Sequence, residues 1–397
     1  MHRFHRVVGT ERSVRKSWTV KFMRLVTESQ QGSFNGGRNL SSSTPAPLAI
    51  TVALIAVLAS GCGSRLTQTP NTAQAPAATP LSATPAPPVP GVLVRPSTPM
   101  APPGEAMLSA PSTQAVWVLD SNMDLYRSVD QGNTWLQRPI PPGNFPKPDV
   151  SFIDDRQGWF ATGGVPETQC NGAGTVVWHT ADGGDTWQRV ASVDWQHQVL
   201  GGIGYGQCKE GLSFVDAMHG FLGAWDPNHR PTIYATADGG FTWASSTLPD
   251  PPGFVTQGAG DALRPGLAKG FGKTLLIPAW GMQPGAQMET EYIFRSVDGG
   301  ATWNYLTTAG QGINNVTFVV ESRWLKISNN GSALETTDAG KTWHSYPSDY
   351  QDAAGVPSVF VFGDPLVGYG TVRGAIRRTV DGGLHWALIT TPSVHQP

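Results

Sequence analysis

Six aspartates recur along the chain, each within the same short pattern. The pattern reads Ser or Thr, any residue, Asp, any residue, Gly, any residue, Thr, Trp, and only His385 departs from it, in place of the threonine. Carboxylates repeated in this way could hold metal ions or transfer protons. Successive aspartates are 52, 56, 60, 40 and 43 residues apart. The repeated residues are Asp130, Asp182, Asp238, Asp298, Asp338 and Asp381, with Trp135, Trp187, Trp243, Trp303, Trp343 and Trp386.

The residue types of this pattern favour a structural role over a catalytic one. An aspartate can accept backbone N–H hydrogen bonds within its own turn, and glycine permits a positive φ where a side chain would clash. The tryptophan buries a large ring between neighbouring strands. The pattern is identified as the Asp-box, or BNR repeat, and in proteins with this motif the turn lies on the outer rim of a propeller. We therefore expect these residues to fasten the fold.

The repeat period predicts the fold. Copies 40 to 60 residues apart suit one four-stranded propeller blade each. Short alternating strands separated by turn residues indicate an all-β chain without a convincing amphipathic helix. The third blade, for example, should have strands at 211–216, 220–225, 231–236 and 242–246. The sequence predicts a six-bladed β-propeller of four-stranded antiparallel blades over 112–391, and a seventh blade would need a degenerate copy of the motif.

The amino terminus resembles an export signal. Residues 48–60 are uncharged and mostly apolar, too few to span a bilayer as a helix, and they follow a basic segment. They run into an Ala-Ser-Gly-Cys sequence ending at Cys62, which resembles the lipobox of bacterial lipoproteins, whose cysteine takes a diacylglyceryl group. We therefore assign 1–61 to a lipoprotein-type signal, with Met23 as an alternative start, and Cys62 to lipidation. An ordinary secretory signal is the alternative.

The next segment has the composition of a stalk, and the remainder of the chain is acidic. Residues 62–111 form a linker rich in Pro, Ala and Thr, a composition typical of disordered, extended chain. Residues 63–397 hold 19 Lys and Arg against 27 Asp and Glu, a net charge of −8, and contain no basic run. Such a chain is a poor nucleic-acid binder. We expect it in the bacterial cell envelope, anchored by lipid to the outer side of the cytoplasmic membrane or in the periplasm, or else secreted.

The long loops of blades 2 to 4 carry the candidate binding residues. In a propeller they lie on the face opposite the Asp-box turns, and long loops on a rigid scaffold are common sites of binding. Aromatic groups beside polar groups suit a sugar ring or a peptide, although two of the tryptophans stand at strand ends and could be core. Two histidines lack a third placed ligand, so we expect neither a metal nor a cofactor. The candidates are Trp195, His197, Tyr205, Trp225, Asp226, His229, Arg230 and Trp280.

Two cysteines lie on the same predicted face. Cys170 falls in a loop of blade 2, and Cys208 falls in the connection from blade 2 to blade 3. In an oxidising compartment two such cysteines form a disulfide more readily than they provide a catalytic thiol. We therefore expect a Cys170–Cys208 bridge.

Two families share the motif, and they imply different functions. The blades at 151–187 and 213–243 resemble those of the photosystem II assembly and stability factor-like propellers, which are non-enzymatic scaffolds and have seven blades where the fold is known. The six-bladed sialidases are the second resemblance, but the Phe-Arg-Ile-Pro element and an arginine triad cannot be placed here. We predict a non-catalytic extracytoplasmic binding or assembly scaffold whose partner, an envelope protein or a glycan, binds the long-loop face of blades 2–4. The alternative is a sialidase-like or other glycan-active hydrolase.

Overall fold

The fold is known from a computed structural model of the chain. The structure describes residues 93–94, 106–143, 148–162, 170, 174–196, 200–227, 229–254, 256, 262–283, 285–311, 315–328, 332–351, 359–372 and 375–389. The predicted signal segment, the predicted lipidation site Cys62 and most of the predicted linker lie outside these residues. Within the described ranges no helix has the length and apolar character needed to cross a membrane.

The described residues form 26 strands and one short 3₁₀ helix, at Leu200–Gly202. The strands of the first half are β1 Leu93–Val94, β2 Met107–Ser109, β3 Val116–Leu119, β4 Leu125–Ser128, β5 Trp135–Arg138, β6 Pro148–Phe152, β7 Gly158–Thr162, β8 Thr175–Thr180, β9 Gln188–Val193, β10 Cys208–Phe214, β11 Gly220–Asp226, β12 His229–Thr236 and β13 Ala244–Thr247. Those of the second half are β14 Arg264–Pro265, β15 Lys269–Phe271, β16 Thr274–Gly281, β17 Thr290–Ser296, β18 Asn304–Gln311, β19 Val316–Phe318, β20 Trp324–Ile327, β21 Ala333–Thr336, β22 His344–Tyr346, β23 Phe360–Phe362, β24 Gly368–Val372, β25 Ala375–Thr379 and β26 Ala387–Ile389.

These strands form six antiparallel sheets, which are the six blades predicted from the repeats. Each blade uses consecutive stretches of chain in the order A, B, C, D from the propeller axis outwards. In blade 4 strand A is divided into β14 and β15, which both pair with β16. In the third blade the strands fall where the pattern predicts them, shifted by up to three residues at their ends.

The propeller begins earlier than the sequence boundary at 112. Strand β2 at Met107–Ser109 is the inner strand of blade 1, and Leu108 is buried in the core. Upstream, β1 adds a fifth strand to the outer edge of the same blade, with Leu93 opposite Leu136 and Val94 opposite Trp135. Part of the stretch that composition assigns to the linker therefore belongs to the folded domain.

Aromatic stacking joins one blade to the next. Trp117 of blade 1 stacks on Phe152 of blade 2 with ring centroids 3.7 Å apart, and Trp159 stacks on Phe214 of blade 3 at 3.6 Å. A Cβ at Gly158 would lie 2.0 Å from the Phe152 ring, so only glycine allows this ring to lie flat against the sheet. The core of the molecule is thus divided into clusters between successive blades.

The two faces of the propeller differ. The turns from strand A to strand B lie beside the repeated turns from strand C to strand D, since Gly183 N donates to Arg156 O at 2.7 Å and Gly382 N donates to Leu366 O at 2.8 Å. We call this side the turn face. The connections from B to C and from each D to the next A leave the opposite side, which we call the loop face.

Candidate functional site

The six repeated turns use their carboxylates internally. In the second turn, Thr186 N and Thr180 Oγ1 both donate to Asp182 Oδ1 at 2.9 Å, and Thr186 Oγ1 donates to Oδ2 at 2.6 Å. The two hydrogen bonds from the threonine before the tryptophan, one from its N–H and one from its hydroxyl, recur in four other turns. The side-chain hydrogen bond from Thr302 is the largest cause that lowers the pKa of Asp298 to about 2. These carboxylates are therefore ionised acceptors held within their own turns, and they leave little capacity for a substrate or metal.

The sixth turn differs because His385 replaces the threonine. His385 Nδ1 lies 2.6 Å from Asp381 Oδ2, in the place of the usual hydroxyl. This hydrogen bond, together with the charges of Asp381 and Asp349, raises the pKa of His385 above its ordinary value. The imidazole thus preserves the turn and adds a titrating group at the rim.

The loop face holds a cluster of aromatic and charged side chains between blades 3 and 4. The guanidinium of Arg264 lies 6.0 Å from the ring centroid of Trp225, within cation–π range. Arg264 Nη2 is also 2.5 Å from Glu289 Oε1. Trp280 stands opposite Arg264 in the strand register, and its ring covers Gly266, where a Cβ would lie 2.5 Å from it. We call Trp225, Arg264, Trp280 and Glu289 the loop-face cluster.

A disulfide braces this cluster. Cys170 and Cys208 are joined, with their Cα atoms 4.9 Å apart. Trp225 packs against the bridge and stands opposite Cys208 in the sheet. The Trp225 Nε1 donor is buried and has no hydrogen-bond partner among the described residues. The ring is therefore held rigidly against the bridge.

The remaining candidates spread around the cluster. Asp226 accepts a hydrogen bond from Gln207 at 3.2 Å, and its Oδ1 lies 2.7 Å from His229 Nδ1. Arg230 is held by Asp250 at 3.0 Å, and Tyr205 packs on the core between blades 2 and 3.

Trp195 is more exposed, with 68% of its surface accessible, and His197 lies outside the described residues. In the part of the chain that the structure describes, no three His, Cys, Asp or Glu side chains converge as metal ligands.

The structure adds Arg264, which the sequence did not single out. It stands beside Trp225, Trp280 and Glu289, but its loop carries no recognisable motif. A charged residue near the end of a long loop was the only signal, and it is too common to select a site.

Two buried carboxylates were also missed, and each accepts a backbone N–H group from the inner strand of the next blade. Leu212 N donates to Asp149 Oδ2 at 2.7 Å, and Val316 N donates to Glu291 Oε1 at 2.9 Å. The pKa of Asp149 is raised to about 6, mainly by burial and also by the charge of Glu210. Hydrogen bonds from three backbone N–H groups oppose this rise. Burial also raises the pKa of Glu291 to about 7, although Lys326 Nζ lies 3.5 Å away and opposes the shift.

No protein-family model matches the sequence, and no curated protein matches it. Among solved structures, the chain is similar to YCF48, a photosystem II assembly factor, bound to a D1 peptide, with 17% identity and a TM-score of 0.36 over 72% of this chain and 99% of that one. It is similar to the Hadza microbial sialidase Hz136 with 14% identity and a TM-score of 0.47, over 69% of this chain and 66% of that one. It is similar to a Penicillium chrysogenum α-L-arabinanase complexed with arabinobiose, with 13% identity and a TM-score of 0.47 over 73% and 98%.

With TM-scores this low, the fold assignment rests on the six sheets of this chain. The sheets and the loop-face cluster define the class: a six-bladed all-β propeller with a fastened turn face and an aromatic, charged patch on the loop face. The similarities do not choose between a scaffold and a hydrolase.

Proposed function

We propose that this chain is a non-catalytic extracytoplasmic binding scaffold, with its partner bound on the loop face of blades 2–4. The observation that carries the proposal is the loop-face cluster, in which Arg264 lies over the Trp225 ring and pairs with Glu289. A half-buried indole beside a guanidinium offers apolar contact and directed hydrogen bonds in one place. This combination is typical of binding hot spots.

The partner that suits this cluster is a peptide or a glycan on an envelope component. An indole face can stack on an apolar side chain or a sugar ring. The Arg264 guanidinium has five N–H donors, and Glu289 adds acceptor oxygens. Since the two charges already neutralise one another, the cluster favours uncharged amide or hydroxyl groups over an isolated ion.

The nearby carboxylates are already paired with basic side chains, and this pairing supports binding over hydrolysis. Glu289 is paired with Arg264, Asp226 lies against His229, and Asp250 holds Arg230. A glycosidase needs a carboxylic acid free to protonate the leaving oxygen and a second carboxylate across the bond.

One observation favours the alternative of a glycan-active hydrolase. The raised pKa of Asp149, with Glu210 nearby, is a property of general acids. Its oxygens, however, already accept backbone N–H groups of Leu212, Gly211 and Val150, which is the pattern of a structural carboxylate.

The binding proposal is tested by the full chain on peptide and glycan arrays. Wild type should bind a defined subset of probes, and both Trp225→Ala and Arg264→Ala should weaken that binding at least tenfold, which corresponds to about 1.4 kcal/mol. Arg156→Ala is the matched control, because Arg156 is an exposed arginine in the A-to-B turn of blade 2, on the turn face opposite the cluster. Equal binding by wild type and both cluster variants would refute the site.

The enzymatic alternative is tested separately with fluorogenic sialosides and arabinosides. The scaffold proposal expects no turnover. Turnover by wild type that is lost in Asp149→Asn would replace the proposal with a hydrolase.

We further propose that Cys62 carries a lipid that anchors the chain to the bacterial envelope membrane. The support is the sequence around Cys62, with its apolar stretch and small residues. Wild type should take up labelled palmitate in cells and sediment with membranes, whereas Cys62→Ala should do neither. Membrane sedimentation unchanged in Cys62→Ala would contradict the anchor.

A further inference from the structure

An open cavity lies beside the sixth repeated turn, at the rim of the turn face. Its volume is about 220 Å³. This is below the roughly 300–1,000 Å³ of pockets that hold drug-sized ligands, so the cavity suits a smaller molecule. We call it the rim pocket. Among the residues that line it are Asp349, Arg378, Val380, Asp381, His385 and Ala387.

The two outer strands of blade 6 supply one wall of the rim pocket. Arg378 lies near the end of β25, and Ala387 stands opposite it on β26. The short side chain of Ala387 leaves the space beside the guanidinium open. Arg378 Nη1 donates to Gln131 O at 2.7 Å, which holds the side chain in place. An arginine has five N–H donors, so donors remain for a bound acceptor.

His385 lines the rim pocket with one ring nitrogen already bonded. Its Nδ1 lies 2.6 Å from Asp381 Oδ2, so Nε2 is the nitrogen left for a ligand. The side chain is 77% exposed, which gives a ligand room to approach it. Nε2 donates only in the imidazolium form, and the hydrogen bond to Asp381 raises the pKa of His385 and favours that form. In the other five turns a threonine stands at this position.

The two carboxylates of the rim pocket differ in what they can offer a ligand. Asp381 is occupied by its own turn, because its Oδ1 accepts hydrogen bonds from Thr379 Oγ1 at 2.8 Å and from His385 N at 3.0 Å. Asp349 lies in the connection from blade 5 to blade 6, and its Oδ1 accepts Trp386 N at 2.8 Å. Its Oδ2 has no hydrogen bond among the described residues, and the residue is exposed. Asp349 therefore presents a negative charge to the pocket.

We propose that the rim pocket binds a free α-amino acid with an apolar side chain. The carboxylate of the ligand bonds to the His385 imidazolium and the Arg378 guanidinium, and its ammonium group pairs with Asp349. Val380, which is 56% exposed, and Ala387 offer apolar surface to the ligand side chain.

The charges of the rim pocket favour an amphoteric ligand over a simple ion. A simple anion would leave the charge of Asp349 unopposed, and a simple amine would leave the cations of His385 and Arg378 unopposed, whereas an amino acid complements both signs. The rim pocket belongs to the turn face, so this proposal is independent of the loop-face cluster and of the partner proposed there.

The probe is L-leucine, with N-acetyl-L-leucine and L-leucinamide as matched analogues. The imidazole NMR signals of the full chain are followed during titration, and the His385 signal is identified by its loss in His385→Thr. Leucine should shift that signal saturably. N-acetyl-L-leucine lacks the ammonium group and L-leucinamide lacks the carboxylate, so each should bind at least about tenfold more weakly. The signal of His219, an exposed turn-face histidine that pairs with Asp216, should not move.

Three variants, with affinities measured by ligand-observed NMR, assign the contacts. His385→Thr restores the residue of the other five turns, so it should fold and should bind leucine at least about tenfold more weakly. Asp349→Asn keeps an acceptor for Trp386 N but removes the charge, so it should weaken binding of leucine and leave that of N-acetyl-L-leucine unchanged. His219→Thr is the matched control and should bind leucine as wild type does.

Leucine binding should also weaken as the pH rises through the pKa of His385. The charged groups around this imidazole are Asp381 of its own turn, Asp349 of the connection and Arg378 of β25. In the neutral form Nδ1 keeps its proton on Asp381, and Nε2 turns a lone pair towards the ligand carboxylate. In His385→Thr the weaker binding should not depend on pH in this range.

The proposal fails if leucine leaves the His385 signal unshifted, or if N-acetyl-L-leucine binds as tightly as leucine, which would make the pocket a site for simple carboxylates. Equal affinity of wild type and His385→Thr for leucine would also overturn it. If His385→Thr does not fold, an unchanged leucine affinity in Asp349→Asn rejects the amphoteric ligand.

Discussion

At the scale of single residues, the six aspartates show how a suggestive motif can be structural. Each carboxylate accepts hydrogen bonds from its own turn, and the glycine of each turn has a positive φ, from 81° at Gly340 to 100° at Gly240. These requirements are local, so the spacing of residue types in the sequence was enough to predict them. Arg264 was not predictable in the same way, because its partners Trp225 and Glu289 meet it only once blades 3 and 4 have formed.

The role of these carboxylates predicts a stability change at Asp182. Asp182→Ala removes acceptors for Thr186 N, Thr186 Oγ1 and Thr180 Oγ1. We expect the free energy of unfolding in urea to fall by about 1–2 kcal/mol. Asp182→Asn keeps one carbonyl oxygen and should lose less.

The same prediction has a defined pH dependence. Partial burial is the largest single influence on the pKa of Asp182 and raises it, but the hydrogen bonds from Thr186 and Thr180 together outweigh burial and lower the pKa in the folded state. The stabilisation is therefore complete above the ordinary carboxyl range and disappears as the pH falls through the folded pKa. If the difference in the free energy of unfolding between wild type and Asp182→Ala grows on acidification, Asp182 does not have this role.

At the scale of elements, buried carboxylates bond one blade to the inner strand of the next. Strand β10 has a bulge between Glu210 and Ser213, which leaves backbone N–H groups out of the ladder, and Asp149 of the preceding blade accepts them. Glu291, on the third strand of blade 4, accepts the N–H group of Val316 at the start of β19. Neither role was predictable from sequence, because an aspartate or glutamate within an apolar strand gives no indication of which strand it will face.

The tie between β6 and β10 predicts a pH effect opposite to that of the repeated turns. The pKa of Asp149 rises from 3.8 to about 6 on folding, mainly because of burial, so the folded state retains a proton that the unfolded state has lost. Stability should therefore fall as the pH rises from about 4 to about 6 and level off above. In Asp149→Asn this dependence is absent, so the free energy of unfolding of wild type minus that of the variant should decline across the same window.

Urea unfolding at several pH values checks this, with Asp182→Asn as the control that shifts in the other direction. If the difference between wild type and Asp149→Asn stays constant across that pH window, Asp149 does not hold its proton in the folded state.

At the scale of the whole molecule, the repeats predict the number of blades but not which residues of the inner strands lie level with one another. The register places Lys269 level with Ser213, because the turn after Phe271 is shorter than the turn after Phe214. The start of blade 1 was likewise hidden, since β2 has three residues and follows proline-rich chain. The sequence patterns predicted the strands within a blade, but they did not predict the contacts between blades.

The junction between blade 6 and blade 1, which closes the ring of blades, is the clearest feature of the whole molecule. All four main strands of blade 1 come from one stretch of chain, and so do those of blade 6, so among the described strands none is exchanged between the two blades. Closure depends on side chains. Trp135 is fully buried among Tyr369, Ile376 and Ile389 of blade 6, and Arg378 donates to Gln131 O at 2.7 Å.

Trp135→Ala should therefore weaken the closure more than the same change weakens another blade junction. We expect a loss of about 3–5 kcal/mol in the free energy of unfolding, as for a large aromatic removed from a core, and faster amide hydrogen exchange in β4 and β25, on the two sides of the junction. Trp343→Ala is the control, because this tryptophan has the same place in its repeat and is only partly buried. Exchange that rises equally in all six blades of Trp135→Ala would mean that the ring unfolds as one unit and that this junction has no special role in keeping it closed.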